Sequence, residues 1–496
     1  VSTDTSAERA SATASTRAVS VRQLPRSVWG LAFTELWERF SFYGVNGILS
    51  FYLLFSVHDG GLDLGAAAAA GVVGAYGGAV YLAQLAGAWM GDRVLSPKLM
   101  VFWGGAVITL GHVALAVFAG MTGLVLGLLL IIFGTGALKT NITNIVGFVL
   151  EGQSSAQRDV GFAYFYISIS LGSVLGPLST GFAQNEWGFH WGFGLAAIGM
   201  VLALVQYAFS MRRLPAKASS VLRPIAGRAL LLLVMLALLI ATAIGMLMAI
   251  GFIKAEQLAG IVTAAELVAA AVYFGVMLGA KHVSREEKRR VAGFLPLFLA
   301  ASLFFGLLFQ QFTTIAILIS ERVDLVVGGW SIPVAWITMI SQLALVIVTP
   351  LVAQFWGRSG NSGPGAPTKF AMGMMQIGIA YAIMLVALRL FPDAALPVLL
   401  VVVVMIIAGS SEVFIGPIGL SLATRIGPSA YRSHMVGLNF LTLGLGSSLS
   451  GLLGQLFTVM SEPSYFLVII GLGVGTGILL WLFRAPLHRA LNAGLA

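Results

Sequence analysis

The chain contains no cysteine, which excludes disulfides, thiol chemistry and thiolate metal sites. Charge is scarce as well, at 9% of 496 residues, where a soluble domain carries about 25%. The six histidines are scattered among loops and segment ends and form no ligand cluster. A phosphate-binding loop of the type G-x-x-x-x-G-K-S/T is missing, which argues against direct ATP drive. No Ser/His/Asp arrangement marks a membrane-embedded enzyme, so none is expected. What remains is hydrophobic: 58% of the chain, in repeated runs of about 20 residues or more, the mark of a polytopic helical membrane protein.

The net charge of +9 invites a nucleic-acid reading, which the placement of the charges removes. Residues 1–27, rich in Ser, Thr, Ala and Arg, are expected to form a disordered tail rather than a signal peptide or a span. Hydropathy then predicts spans at 29–55, 66–91, 99–119, 123–150, 159–182, 191–210, 228–251, 259–280, 292–319, 330–356, 369–390, 395–424, 433–459 and 464–484. These are fourteen, so both termini return to one side. Of 28 lysines and arginines, 23 lie on the tail's side, and only Lys254, Arg322 and Arg389 on the other. This excess places both termini in the cytoplasm of a multi-pass protein of the plasma (inner) membrane.

The spans group as six, two and six. The expected units are a cytoplasmic tail (1–27), an N-terminal six-helix bundle (28–212), basic linkers with a two-helix insert (213–290), a C-terminal six-helix bundle (291–485) and a second cytoplasmic tail (486–496). This resembles an all-α major-facilitator fold, twelve transmembrane helices in two bundles plus two inserted, with the substrate between the halves near the midplane. The insert reads as peripheral packing, with Glu266 as its one discordant residue. GDRVLSPK at 91–98 looks like the cytoplasmic loop signature of such transporters. Asp92 and Arg93 there can pair with helix ends and latch one state, although an ordinary polar turn has the same composition.

Charges inside the spans carry the functional argument. Glu35, Glu38 and Arg39 lie mid-span at spacing i, i+3, i+4, on one helix face, with Tyr43 a turn further on. Each charge costs about 2.5–3.5 kcal/mol at the bilayer centre, so all three need partners and a purpose. Lys139 lies in the middle of the fourth span, followed by Asn141 and Asn144. Glu412 lies deep in the twelfth, just before Gly416-Pro417, where proline must disturb the helix. A structural hydrogen bond for Glu412 and a plain kink at Pro417 remain the simpler alternatives.

ELWERFSFYG at 35–44, GTGALKTN at 134–141 and the Glu-then-Pro pattern at 412–417 together resemble the proton-dependent oligopeptide transporter (POT/PTR) family, in its bacterial type with two extra helices. The resemblance covers nearly the whole chain from residue 27. It implies that Glu35, Glu38 and Arg39 couple proton uptake to conformational change. Arg39 and Lys139 would face a peptide carboxylate, Glu412 its amino group, and Tyr43 and Tyr81 would line the pocket. Lys139 and Glu412, with Asp92 and Arg93, would gate. The sequence departs from the family pattern at Gln310, where an acid is usual in FFGLLFQQ (304–311), and at Asn46, Ser170, Ser341 and Asn439. Trp336 is retained. These positions complete the expected substrate site.

Within the two six-helix halves, three mid-span carboxylates (Glu35, Glu38, Glu412) stand against two cations (Arg39, Lys139), an imbalance of −1 that one proton cancels. With Gln310 neutral, proton coupling is expected at the Glu35/Glu38 pair. The expected function is proton-coupled import of di- or tripeptides or peptide-like solutes by alternating access. The expected partners are the peptide-like substrate and the lipid bilayer, with no nucleic acid, no metal and no cofactor besides the proton, and the carrier is expected to act as a monomer. A carrier, importer or exporter, for a drug, modified peptide or anion is the competing reading, favoured by Asn46, Ser341 and Asn439. A channel is a third.

Overall fold

The structure is a computed structural model that describes residues 24–494, apart from 222–223, most of 229–250, 360–362 and 393. The N-terminal half consists of α1 (Arg26–Leu54), α2 (Ala66–Arg93), α3 (Pro97–Val117), α4 (Gly120–Val149), α5 (Ser155–Trp187) and α6 (Phe189–Ser210). The insert contributes α7 (Leu258–Gly279). The C-terminal half consists of α8 (Arg285–Leu308), α9 (Thr314–Arg322), α10 (Val334–Ser359), α11 (Ala366–Leu390), α12 (Val398–Ser411), α13 (Gly416–Ile426), α14 (Arg432–Val459), α15 (Glu462–Leu482) and the short α16 (Arg484–Leu491). Among the described residues, 12 helical segments are long and apolar enough to cross a membrane. α1 is long enough but is kept out of that set by its own charges. The expected span 228–251 and tail 1–27 lie largely outside the described residues.

Local chemistry sets the helix ends. Ser154 and Ser284 open α5 and α8 with reciprocal capping boxes to Gln157 and Glu287. Pro97, Pro367 and Pro463 sit in the first turns of α3, α11 and α15, where no backbone donor is lost. Large apolar side chains such as Phe133, Phe209 and Leu351 are exposed on the outer surface, as a lipid-facing wall requires.

Two departures from the hydropathy reading matter for the site. Each of two predicted spans is broken. A 3-10 turn at Phe309–Phe312 separates α8 from α9, and another at Glu412–Phe414 separates α12 from α13. In the second break Glu412 is itself part of the irregular backbone, not a residue preceding it. Also, the predicted start at 330 is a short antiparallel hairpin, Val326–Val327 with Trp330–Ser331, and α10 begins at Val334. A second two-residue pairing, Val323–Asp324 parallel to Leu396–Pro397, ties the neighbouring connections.

We call the face bearing α16 and the start of α1 the tail face, and the opposite one the far face. The halves meet toward the far face. Ser50 of α1 donates to the Phe312 carbonyl at 2.5 Å, and Trp336 Nε1 of α10 donates to the Leu178 carbonyl of α5 at 3.0 Å. α2 and α14 cross where small residues face each other: a Cβ on Gly74 would lie 2.6 Å from Gly451 Cα. Close helix approach of this kind is how membrane bundles gain packing energy without a hydrophobic driving force.

Candidate functional site

α1 places Glu35, Glu38 and Arg39 in the interior, at 0%, 1% and 5% exposure. Arg39 donates from Nε and Nη2 to both oxygens of Glu38, each at 2.5 Å. Its Nε also lies 3.7 Å from Glu35 Oε1. Lys139 of α4 donates to that same Glu35 oxygen. Two acids and two bases thus close a neutral cluster held entirely within the N-terminal half. The guanidinium stacks 4.6 Å from the Phe42 ring and 5.8 Å from that of Tyr43, which carries the cationic face toward the neighbouring cavity.

That cavity is lined by Phe42, Tyr43, Asn46, Gly77 and Tyr81 from the N-terminal half, and by Phe309, Phe312, Gln342, Glu412, Leu443 and Ser447 from the C-terminal half. Both helix breaks reach it. Irregular backbone is tolerated at membrane depth only where protein buries it or a cavity opens beside it. Among the described residues no cation lies within 4.0 Å of Glu412. The formal imbalance of −1 counted for the two halves therefore falls at Glu412, the carboxyl of the three that has no cationic partner among the described residues, facing a cluster whose charges cancel. Lys139 and Glu412 form no ion pair; Lys139 is engaged by Glu35.

Of the expected substrate residues, the fold brings Tyr43, Asn46, Tyr81 and Glu412 to one cavity, with Arg39 behind Tyr43. It places others elsewhere. Gln310 is 1% exposed and knots the α8–α9 break, accepting from Thr314 Oγ1 (2.5 Å) and Tyr465 OH (2.7 Å) while its amide donates to the Gly306 carbonyl (3.0 Å). Ser341 is also buried, donating to Gln311 Oε1 at 2.5 Å. Asn439 packs against Gly419 of α13. Ser170 donates to its own helix at the Tyr166 carbonyl. Trp336 bridges the halves through its indole nitrogen. Asp92 is exposed, and Arg93 closes α2 with its guanidinium over Trp89; neither forms an ion pair among the described residues.

Gln342 and Ser447 line the cavity without having been singled out. Gln342 is the helical neighbour of Ser341, so attention fell one position, about 100° of rotation, from the residue that faces inward. Ser447 lies two turns from Asn439 on the same face of α14, a polar residue in an apolar helix, and that periodicity was the available signal. Asn141, fully buried, donates to the Gly87 carbonyl and fastens α4 to α2.

Two helical bundles closing on a polar chamber, with broken helices at its wall, define a secondary carrier of the major-facilitator fold. The POT-family model matches residues 98–469. An uncharacterized transporter, YclF of Bacillus subtilis, is 32% identical, with 95% of this chain and 96% of YclF covered. A di-/tripeptide transporter of Lactococcus lactis subsp. cremoris is 32% identical, with 94% and 97% covered. A crystal structure of the peptide transporter POT in complex with sulfate is 31% identical, superposes with a TM-score of 0.90, and is covered to 99% by 97% of this chain. The chain belongs to the POT family, and it is a multi-pass membrane transporter.

Proposed function

We propose that the protein is a proton-coupled symporter that imports di- or tripeptides, or peptide-like small solutes, by alternating access. The proton is its coupling ion, and no other cofactor is required. In this reading it sits in the plasma membrane with both termini in the cytoplasm, so the far face is outside and the arrangement described above faces inward. The monomer is the working unit. The di-/tripeptide transporter of Lactococcus lactis supports the substrate class.

One observation carries the reading: among the described residues Glu412 has no cation within 4.0 Å, while the Arg39 guanidinium is bound by Glu38. A zwitterionic peptide and one proton would satisfy every charge. The peptide ammonium would pair with Glu412. A proton on Glu38 would dissolve its bidentate bond and free Arg39 for the peptide carboxylate, a bidentate match. Lys139 would keep Glu35 neutralised. The pairing therefore predicts one proton per zwitterion. Proton and substrate then act together because each favours the same charge-satisfied state.

The test is uptake of labelled dialanine into proteoliposomes with and without an inward proton gradient. Glu38→Gln is expected to abolish gradient-driven uptake and to spare counterflow exchange; normal gradient-driven uptake by that variant defeats the assignment. The competing reading, a non-peptide solute, drew on Asn46, Ser341 and Asn439. Only Asn46 reaches the cavity. Unlabelled dialanine should compete for uptake if the solute is a peptide and should be ignored otherwise.

A further inference from the structure

Glu266 of α7 is 0% exposed, yet it belongs to the insert rather than to either half. α7 lies across the seam where α2 of one half meets α14 of the other, and Glu266 enters that seam. Glycines make the space. A Cβ on Gly78 of α2 would lie 3.2 Å from Glu266 Oε1, and a Cβ on Gly444 of α14 would overlap the same oxygen. Ser448 Oγ of α14 donates to Oε2 at 2.6 Å, while Oε1 has no hydrogen-bond partner. Gly77 and Ser447, the next residues along α2 and α14, line the cavity on the other side of this wall.

Among the described residues no cation pairs with Glu266; the basic titratable group that comes nearest along these helices is His434 at the start of α14, whose ring lies 5.0 Å from that of Tyr273, two turns of α7 from Glu266. Of the elements packed against it, α2 offers only the phenols of Tyr76 and Tyr81 between Ala66 and Trp89. α14 has no ionisable residue between Met435 and Phe457, and α7 has besides Glu266 only Tyr273. The adjoining stretch 229–250 contains no charged residue either. An unpaired carboxylate in such a site is very costly, and a neutral acid is not. The neutral acid also fits the bonding. Its proton can go to Ser448 Oγ, and the serine can then give its own to the Leu445 carbonyl, 3.2 Å away. In either state Oε1 is left without a donor, a modest cost for the carbonyl oxygen of a neutral acid and a large one for an ionised carboxylate.

We propose that Glu266 is a second proton-binding site, outside the substrate cavity, whose neutral form holds the α2–α14 seam shut and whose ionised form opens it. Seam opening admits water to the carboxylate, so a rise in pH favours the far-face-open state. For one linked proton the open-to-closed ratio changes by at most about tenfold per pH unit. The insert is in this sense part of the gate. The inference rests on the alternating-access reading, but its test needs no substrate.

The chain has no cysteine, so spin labels on Ala66→Cys and Val459→Cys, at the far-face ends of α2 and α14, report the seam alone. Pulsed EPR distances would be recorded in lipid nanodiscs from pH 5.5 to 8.5, without substrate. The expected result is a longer-distance population that grows with pH. Glu266→Gln, which mimics the neutral acid, should hold the short distance and remove most of that growth. Ser448→Ala, which removes the hydroxyl bonded to Oε2, should shift the pH at which the transition falls, and it decides the matter should Glu266→Gln not fold. A seam indifferent to pH, a Glu266→Gln response equal to the parent's, or an unmoved transition in Ser448→Ala overturns the proposal. Distances that respond to added dialanine but not to these variants would sink the proton site and leave peptide transport standing. The opposite pattern would do the reverse.

Discussion

Lys139 shows how much a single side chain can hold in place. Its ammonium and the Arg39 guanidinium both lie against Glu35 Oε1, so they are the countercharge of a carboxyl that is 0% exposed. Removing one partner of a buried pair leaves an uncompensated charge and costs about 3–5 kcal/mol, whereas replacing both can be nearly neutral. Lys139→Met should therefore lower the thermal unfolding midpoint sharply in detergent. Adding Glu35→Gln should recover much of the loss, because Arg39 keeps Glu38. A double-mutant cycle on the unfolding free energy measures the coupling; independent, additive effects would show that the two groups do not act as a pair. The same residue scale shows why sequence reasoning reached the cluster but not its wiring. The charges in α1 and α4 were conspicuous by cost alone. Which acid takes which base depends on rotamers and on helix crossing, and no spacing rule contains these. Gln310 illustrates the limit: a substituted motif position looked like pocket chemistry but sits in a hydrogen-bond knot behind the wall.

At the scale of elements, the helices themselves were readable, because a bilayer demands long apolar runs with satisfied backbones. Breaks were not. A 3-10 turn at Phe309–Phe312 interrupts a run of mean hydropathy 2.2, and hydropathy averages over it. The α2–α14 seam was likewise hidden, since Gly74 and Gly451 are separated by hundreds of residues and meet only through the fold. Gly74→Leu would drive a side chain into the Gly451 backbone. Overpacking of this kind costs about 1–3 kcal/mol and would fall on the far-face-closed arrangement. The label pair on α2 and α14 should then report a longer mean distance, and dialanine uptake should slow. An unchanged distance would mean that the seam accommodates the larger residue by shifting, and that its tightness does not govern closure.

For the molecule as a whole, the asymmetry of lysine and arginine is a claim about direction. Val57, 71% exposed on the far-face loop, and Ser429, exposed at the tail face before α14, lie at opposite ends of the helix bundle. With no native thiol to interfere, Val57→Cys should react with a membrane-impermeant maleimide in intact cells, and Ser429→Cys only after permeabilisation. The reverse pattern would invert the topology and with it the direction of import. The six-two-six grouping and the two-bundle architecture were visible from span lengths and loop charge. The packing of Glu266 into the α2–α14 seam was not, because a single glutamate in an apolar run carries no indication of what it packs against.

The self-neutralised cluster in one half and the solitary acid across from it also divide the ligands that could enter. A small organic amine without an acid group has the one charge that Glu412 wants, and nothing with which to claim Arg39 from Glu38. Such a compound can settle in the chamber but leaves the guanidinium where it was. On the proposed mechanism it should act as a decoy for this carrier, slowing the uptake of labelled dialanine without itself being accumulated.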